Sequence, residues 1–242
     1  MKSLSKIILV ASFVVAFSAC SKKDDVSVGD SSVSSAGVIS GTISNYTSGS
    51  VDSIVAFYGG KDAKSTVSTN GQFSLTVSVP NLSTVGSSSI SGVTVSDANA
   101  KTGSVLFFYT YKNGNLSGLL TKSNYSVTSS NESETAAGES VSSFVYCDRD
   151  LTIKGTGTET ESSTGVTVVI SFTYDVTYKK GWNETVTTIN AYSETATGGT
   201  ESVTVTTTIP SGMTWSALGS GLLDVRSNVD KIHSFLPIGL FR

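Results

Sequence analysis

For chemistry, the 242-residue chain offers one histidine, two cysteines and a scatter of paired acids. A Ser-His-acid relay would need His233 as its base. No Gly-x-Ser-x-Gly elbow accompanies that histidine, which sits beside an apolar stripe where a solvated or capping imidazole is the plainer reading. Glu132/Glu134 and Glu159/Glu161 are carboxylate pairs of the type that hydrolyse glycosides. Both fall in Ser/Thr-rich stretches expected to be turns, where acids keep the surface polar. Asp148-Arg149-Asp150 and Asp97-Ala98-Asn99 offer oxygen ligands of the kind calcium takes. The Asp-x-Asp-x-Asp-Gly loop is absent, so turn-forming roles are favoured. No metal site, no cofactor and no enzymatic activity are expected. The remaining candidates are rings. Trp182 sits in a Gly-Trp-Asn turn with Asn183, and Trp215 follows Pro210-Ser211-Gly212-Met213-Thr214. A ring on a loop can stack against the apolar face of a sugar. The alternative is a ring folded back over the end of a β body.

The composition narrows what those residues could serve. Serine and threonine make up 76 of the 242 residues, and charged residues only 14%, well below an average globular chain. A formal charge of −3 leaves no basic field for a phosphate backbone, so nucleic acid is not an expected partner. Two cysteines cannot build a disulfide framework or a zinc ribbon.

The first residues carry an address. Lys2 and Lys6 precede the apolar run Ile7 to Phe17, and small residues then lead to Cys20. A run of 11 residues is too short to span a bilayer core and suits a secretory signal over residues 1–19. Phe17-Ser18-Ala19-Cys20 resembles a bacterial lipobox, with Phe where Leu is usual. The resemblance implies a lipid-anchored mature chain beginning at Cys20, and several acyl chains would anchor it durably. Lys23-Asp24-Asp25 resembles the export signal of Bacteroidota lipoproteins, which implies display on the outer face of the outer membrane. Loss of residues 1–19 leaves 14 basic against 19 acidic residues, a formal −5. Residues 20–36 then read as a flexible Ser- and Gly-rich tether, and Cys147 remains as an unpaired thiol, expected to be a small buried hydrophobe.

The body reads as short strands punctuated by Gly and Asn. Strands are expected over 38–43, 53–58, 63–68 and 72–79, with Phe73, Leu75, Val77 and Val79 on one face of the last. Asn70-Gly71, Asn113-Gly114 and Gly198-Gly199 are hairpin signals. Further strands are expected at 105–111, 141–147, 151–155, 166–178, 184–193 and 201–209, with 116–140 a long loop or a pair of weak strands. In 166–178 the even-numbered positions Val166, Val168, Ile170, Phe172, Tyr174, Val176 and Tyr178 share a face, as in an antiparallel sheet wet on one side. The opening run, Val38 to Ile43 followed by Asn70-Gly71-Gln72-Phe73-Ser74-Leu75, resembles the carboxypeptidase-regulatory-like, transthyretin-like sandwich modules of Bacteroidota lipoproteins, and Val145 to Trp182 resembles the second half of uncharacterised members of that group. The first resemblance implies a fold only.

The expectation is thus an all-β protein of antiparallel, Greek-key or transthyretin-like sandwiches. A small β-sandwich module would span 37–90 and a second β domain 91–217, or the two would form one continuous sandwich. Residues 218–242 are expected to form an amphipathic C-terminal helix and tail, with Leu222, Val225, Val229, Ile232 and Leu236 as its stripe. It would cap the body or dock a partner. Three functions remain in view. The first is a surface lipoprotein binding an extracellular ligand such as a glycan. The second is an adhesin or envelope-assembly protein engaging protein partners. The third is a lipocalin-like carrier of an apolar molecule. Asp52-Ser53-Ile54 also fits a loose O-glycosylation pattern.

Overall fold

Alternating apolar and polar residues, rich in β-branched types, build fifteen strands among the described residues of the computed structural model, which are 37–58, 60–88, 90–105, 107–125, 137–163, 166–195 and 198–219. In chain order they are β1 (Gly37–Thr42), β2 (Ser53–Tyr58), β3 (Lys61–Thr66), β4 (Gln72–Val77), β5 (Ser83–Thr84), β6 (Val93–Val95), β7 (Lys101–Val105) and β8 (Phe107–Lys112). There follow β9 (Asn115–Ser123), β10 (Ser140–Cys147), β11 (Leu151–Ser163), β12 (Val166–Tyr178), β13 (Gly181–Thr195), β14 (Gly198–Thr206) and β15 (Thr214–Gly219). The described residues contain no helix. The helix expected over 218–242 lies outside them, except that Leu218 and Gly219 complete β15.

β1 pairs with β4, and a continuous sheet runs β3-β2-β8-β9-β10-β13-β14-β12-β11-β6. β15 lies along β9, and β7 pairs with both β5 and β10. Neighbours are antiparallel except β12 and β14, which run parallel because β13 reaches past the place that β14 then fills. Two cores form on this one sheet. In the first, Ile39 of β1 and Phe73, Leu75 and Val77 of β4 pack against Ile54, Phe108, Leu120 and Trp215. In the second, Val145, Ile153, Tyr174, Val176 and Val203 lie beneath Val85, Ile90 and Ala100. Core membership does not follow chain order, since Val85 and Ile90 belong to the second while Trp215 completes the first.

Turn chemistry explains where the sequence signals lead. Asn113 and Gly114 have φ of 50° and 77°, the double positive of a type I′ turn, and Lys112 faces Asn115 across it. Asn70-Gly71 makes a turn of another kind. Gly71 alone has positive φ, and its N–H donates to the Ser68 carbonyl at 3.0 Å. That turn carries the chain from β3 in the large sheet to β4 in the facing layer, so it is a corner rather than a hairpin. Gly198-Gly199 starts β14, and the β13–β14 hairpin closes with Thr195 opposite Gly198. The expected strand over 63–68 is β3, two residues earlier, and the segment from Leu116 opens with a full strand, β9.

β1 is held by an interlock of small and large residues. Gly37, Ile39 and Gly41 share its inward face. Ile39 is buried, and the glycines leave room for Trp182 and Trp215. A methyl group on Gly41 would overlap Cδ1 and Nε1 of Trp215, and one on Gly37 would overlap Cδ1 of Trp182. Trp215 is 5% exposed and meets Phe73 and Phe108 edge-on at 5.1 and 5.2 Å, and Phe144 in parallel at 5.9 Å. The chain end of β1 is fastened to the same strand. Ser44 N–H donates to the Trp215 carbonyl at 2.8 Å. The Asn45 side-chain amide takes both backbone groups of Ala217, at 2.8 and 3.0 Å. An edge that could pair with another chain is thereby occupied.

Gly41→Ala should therefore destabilise the protein by about 1–3 kcal/mol, the usual range for overpacking a filled core. Urea unfolding should show a lower midpoint at unchanged slope. Ser40→Ala, on the exposed face of the same strand, should stay within about 0.5 kcal/mol, and an equal loss in both variants would dismiss the interlock.

Candidate functional site

β2 and β8 are aromatic strands, and their pairing decides which rings meet outside the first core. Ile54, Ala56 and Tyr58 of β2 point into that core, so Val55 and Phe57 point away from it. The β2–β8 register sets Val55 opposite Tyr109 and Ser53 opposite Tyr111. The row continues from Tyr109 to Leu119 on β9 and from Leu119 to Leu218 on β15. Phe57 is 42% exposed and meets Tyr109 edge to face, with ring centroids 5.4 Å apart at 83°. Val55 and Leu119 are buried although they lie on this outward face, and Leu116 at the end of the β8–β9 hairpin is exposed. The result is an aromatic and aliphatic strip across four strands.

Polar groups fix the rim of the strip. Asp52 accepts the Asn113 N–H at 2.6 Å and the Lys112 ammonium at 3.0 Å. Those two contacts, the backbone donor first, hold its carboxyl below the usual carboxylate range. The Tyr109 hydroxyl is pushed up by burial and by neighbouring Tyr111. Lys64 lies opposite Val55 and Asp62 opposite Phe57 on the outer strand β3. Such a surface supplies ring faces and a few charges at its border. Its chemistry suits an apolar face rimmed by hydroxyls, and among the described residues no nucleophile on it is placed against a base.

The residues singled out from sequence fall elsewhere. Trp215 belongs to β15 and to the first core, not to a loop, so its ring offers no face to a ligand. Trp182 is half-buried at the start of β13, with Tyr58 and Tyr146 against its ring at 6.0 and 5.7 Å. Its indole N–H is buried without a hydrogen-bond partner. Asn183 is spent on its own turn: its amide donates to the carbonyls of Lys179 and Gly181, and its Oδ1 accepts the Lys179 N–H. The structure brings Trp182 and Asn183 to one turn and leaves Trp215 apart from them.

The acids expected at turns are paired with bases. Arg149 holds Asp148 through two nitrogens and reaches Asp97 at 3.2 Å, while Asp97 also accepts the Asn99 N–H at 2.8 Å. Asp150 is bound by the Lys179 ammonium and the Lys180 N–H, which lower its carboxyl. Among the described residues, no group of three or more His, Cys, Asp and Glu side chains could hold a metal ion. Glu159 and Glu161 lie within β11, not in a turn. Ser53 of the Asp52-Ser53-Ile54 triplet is 7% exposed and pairs on both sides within the sheet, so its hydroxyl is not presented for glycosylation. Cys20, Lys23, Asp24, Asp25, Glu132, Glu134 and His233 lie outside the described residues.

The strip itself was missed in the sequence, although its parts were visible as the runs SIVAFY and VLFFYTY. What joins them is a pairing between positions more than fifty residues apart, which local patterning does not encode. No family model matches the chain, and no curated protein or solved structure matches it.

Cys147 is fully buried in the second core, and burial, with Asp148 nearby, pushes its thiol up to about 12. A thiol held protonated and out of solvent is a poor nucleophile. Maleimide should leave Cys147 unlabelled in the folded protein at pH 7.5 and label it fully in denaturant. Fast labelling under native conditions would contradict this placement.

Proposed function

We propose that the protein is a lipid-anchored, surface-exposed outer-membrane lipoprotein that binds an extracellular glycan without transforming it. The lipobox ending at Cys20 and the Lys23-Asp24-Asp25 signal support the address. The outward strip of exposed Phe57 and half-buried Tyr109 and Tyr111 is the observation that carries the binding reading. Sugar rings present axial C–H groups on one face and hydroxyls around their rim. Phe57 and its tyrosine neighbours supply apolar surface for the first, and phenol hydroxyls and border charges supply partners for the second.

A protein ligand is the second reading, favoured by exposed Leu116 beside the rings. Exposed aliphatic surface next to aromatics suits a partner protein better than a sugar. The protein would then act as an adhesin or envelope-assembly component.

Two experiments bear on this reading. On intact cells, external protease should remove the wild-type body, and replacing Lys23, Asp24 and Asp25 by Ala should protect it. Absence of cleavage in the wild type would reject surface display. In a glycan panel, Phe57→Ala combined with Tyr109→Ala should weaken the best binder at least tenfold, equivalent to about 1.4 kcal/mol. Unchanged glycan binding in that variant would remove the strip from consideration. Loss of assembly or of a protein partner, with no glycan retained by the wild type, would replace the first reading with the second.

A further inference from the structure

One row of the outward face is closed to solvent although it belongs to neither core. Val55 of β2, Tyr109 of β8, Leu119 of β9 and Leu218 of β15 lie side by side across four strands. Leu119 is 4% exposed and Val55 8%, and both are absent from the two hydrophobic cores. Tyr109 and Leu218 in the same row are half-buried. Side chains stand roughly perpendicular to a sheet, so flanking residues shield the sides of a leucine and not its tip. The layers already described are spent elsewhere. β1 and β4 pack with the first core on the opposite side of these strands, and Val85, Ile90 and Ala100 pack with the second. Burial also stops short of the neighbouring rows. Phe57 on one side of the closed row is 42% exposed, and Leu116 on the other is 44% exposed.

The chain leaves the described body at the end of this row. Leu218 faces Leu119 and Gly219 faces Gly118, where β15 stops. Residues 220–242 follow, and they carry Leu222, Val225, Val229, Ile232 and Leu236 at the spacing of one apolar stripe on a helix. Gly219-Ser220-Gly221 supplies two glycines where the chain must reverse. Four strand spacings from β15 to β3 come to about 19 Å. A helix carrying Leu222 to Leu236 runs about 21 Å with a diameter of about 10 Å. Such a cylinder closes one row and leaves the next ones open. The other segments outside the described residues offer less. Residues 126–136 hold a single valine, residues 20–36 hold three valines among polar residues, and the apolar run within 1–19 reads as a signal that is removed.

We propose that the C-terminal segment, residues 220–242, folds back as a helix across β15, β9, β8 and β2 and lays its apolar stripe on Leu218, Leu119, Tyr109 and Val55. An amphipathic helix on an apolar strip is a common mode of recognition, met here within one chain. The tail covers what would otherwise be a contiguous apolar patch. It confines an external ligand to the two open borders, the Phe57 side and the Leu116 side. The proposal stands on burial within the chain and does not rest on the glycan reading.

The test is hydroxyl-radical footprinting of the full mature chain without glycan, read residue by residue by mass spectrometry. Leu119 and Leu120 are adjacent, and Leu120 faces the first core. In the wild type both should react at least about tenfold more slowly than Leu116, in line with exposures of 4% and 2% against 44%. Val229→Asp combined with Ile232→Asp should bring Leu119 and Val55 up to the rate of Leu116, while Leu120 and Leu75 stay protected. Ending the chain after Gly221 should do the same without added charge. A third reading leaves the stripe intact. A nitroxide on Ser227→Cys, opposite the stripe, should broaden the amide signals of Val55, Tyr109 and Leu119 and spare those of Thr158 and Ser202 in the long hairpins. Cys147 is buried and stays unlabelled. Unchanged protection of Leu119 in both tail variants would overturn the proposal, as would broadening without preference for the row. Protection of Leu119 that grows with protein concentration would assign the cover to a second copy and overturn it too. A wild type that retains no glycan changes none of these readings.

Discussion

The architecture depends on two tryptophans that occupy the space over two glycines. β1 is the first strand of the described body, and its inward face reads Gly37, Ile39, Gly41. Trp182 lies against the first glycine and Trp215 against the second. A strand with bulkier residues at those positions could not approach the large sheet closely enough for Ile39 to reach the core. The glycines weaken β1 as a strand, because they surrender more conformational freedom and contribute no packing of their own. The rings compensate by supplying contact area that the strand lacks. They also come from distant parts of the chain, so the seat of β1 is built by β13 and β15.

The same rings tie the two cores together. β10 shows one face to each: Phe144 packs in the first core, while Val145 and Cys147 pack in the second. Trp182 extends this seam by meeting Tyr146 on β10 and Tyr58 on β2. Glu184, opposite Phe144 on β13, accepts Lys122 of β9 at 2.6 and 2.8 Å and the Ser142 hydroxyl at 2.6 Å. Both charged side chains are only about one-fifth exposed, at 20% and 21%. The carboxylate accepts three contacts from two donors, which suits a partly desolvated pair better than a single contact would. The two cores are joined because β10 contributes side chains to both.

Much of this fold was legible locally. The alternation in 166–178 predicts the buried face of β12, and Phe172, Tyr174, Val176 and Tyr178 are all buried. Asn113-Gly114 makes the turn its residues favour. Asn70-Gly71 was misread because a tight turn does not specify whether the next strand joins the same sheet or the opposite one. Trp215 was misplaced because Pro210 to Thr214 reads as a loop up to the residue where β15 begins. The aromatic strip and the acidic row of Glu159, Ile170 and Glu201 across β11, β12 and β14 share a deeper reason for escaping notice. Each is assembled by register between strands far apart in sequence. Glu159 and Glu201 are 42 positions apart in the chain and become neighbours only through Ile170.

Protection of a sheet edge explains part of that acidic row but not all of it. β6 covers β11 only at residues 153–155. Beyond them β11 has β12 on one side and no second strand among the described residues. An inward-facing charge on such an edge discourages pairing with another chain, because the intruder would trap it. Glu159 fits that role. Glu201 does not, since β14 is flanked along its length by β12 and β13 and has no edge to defend. A threonine or valine there would continue the pattern of Val203 and Val205 without a carboxyl that burial raises above its usual range. A central strand that carries a desolvated acid in place of such a residue holds its charge against stability.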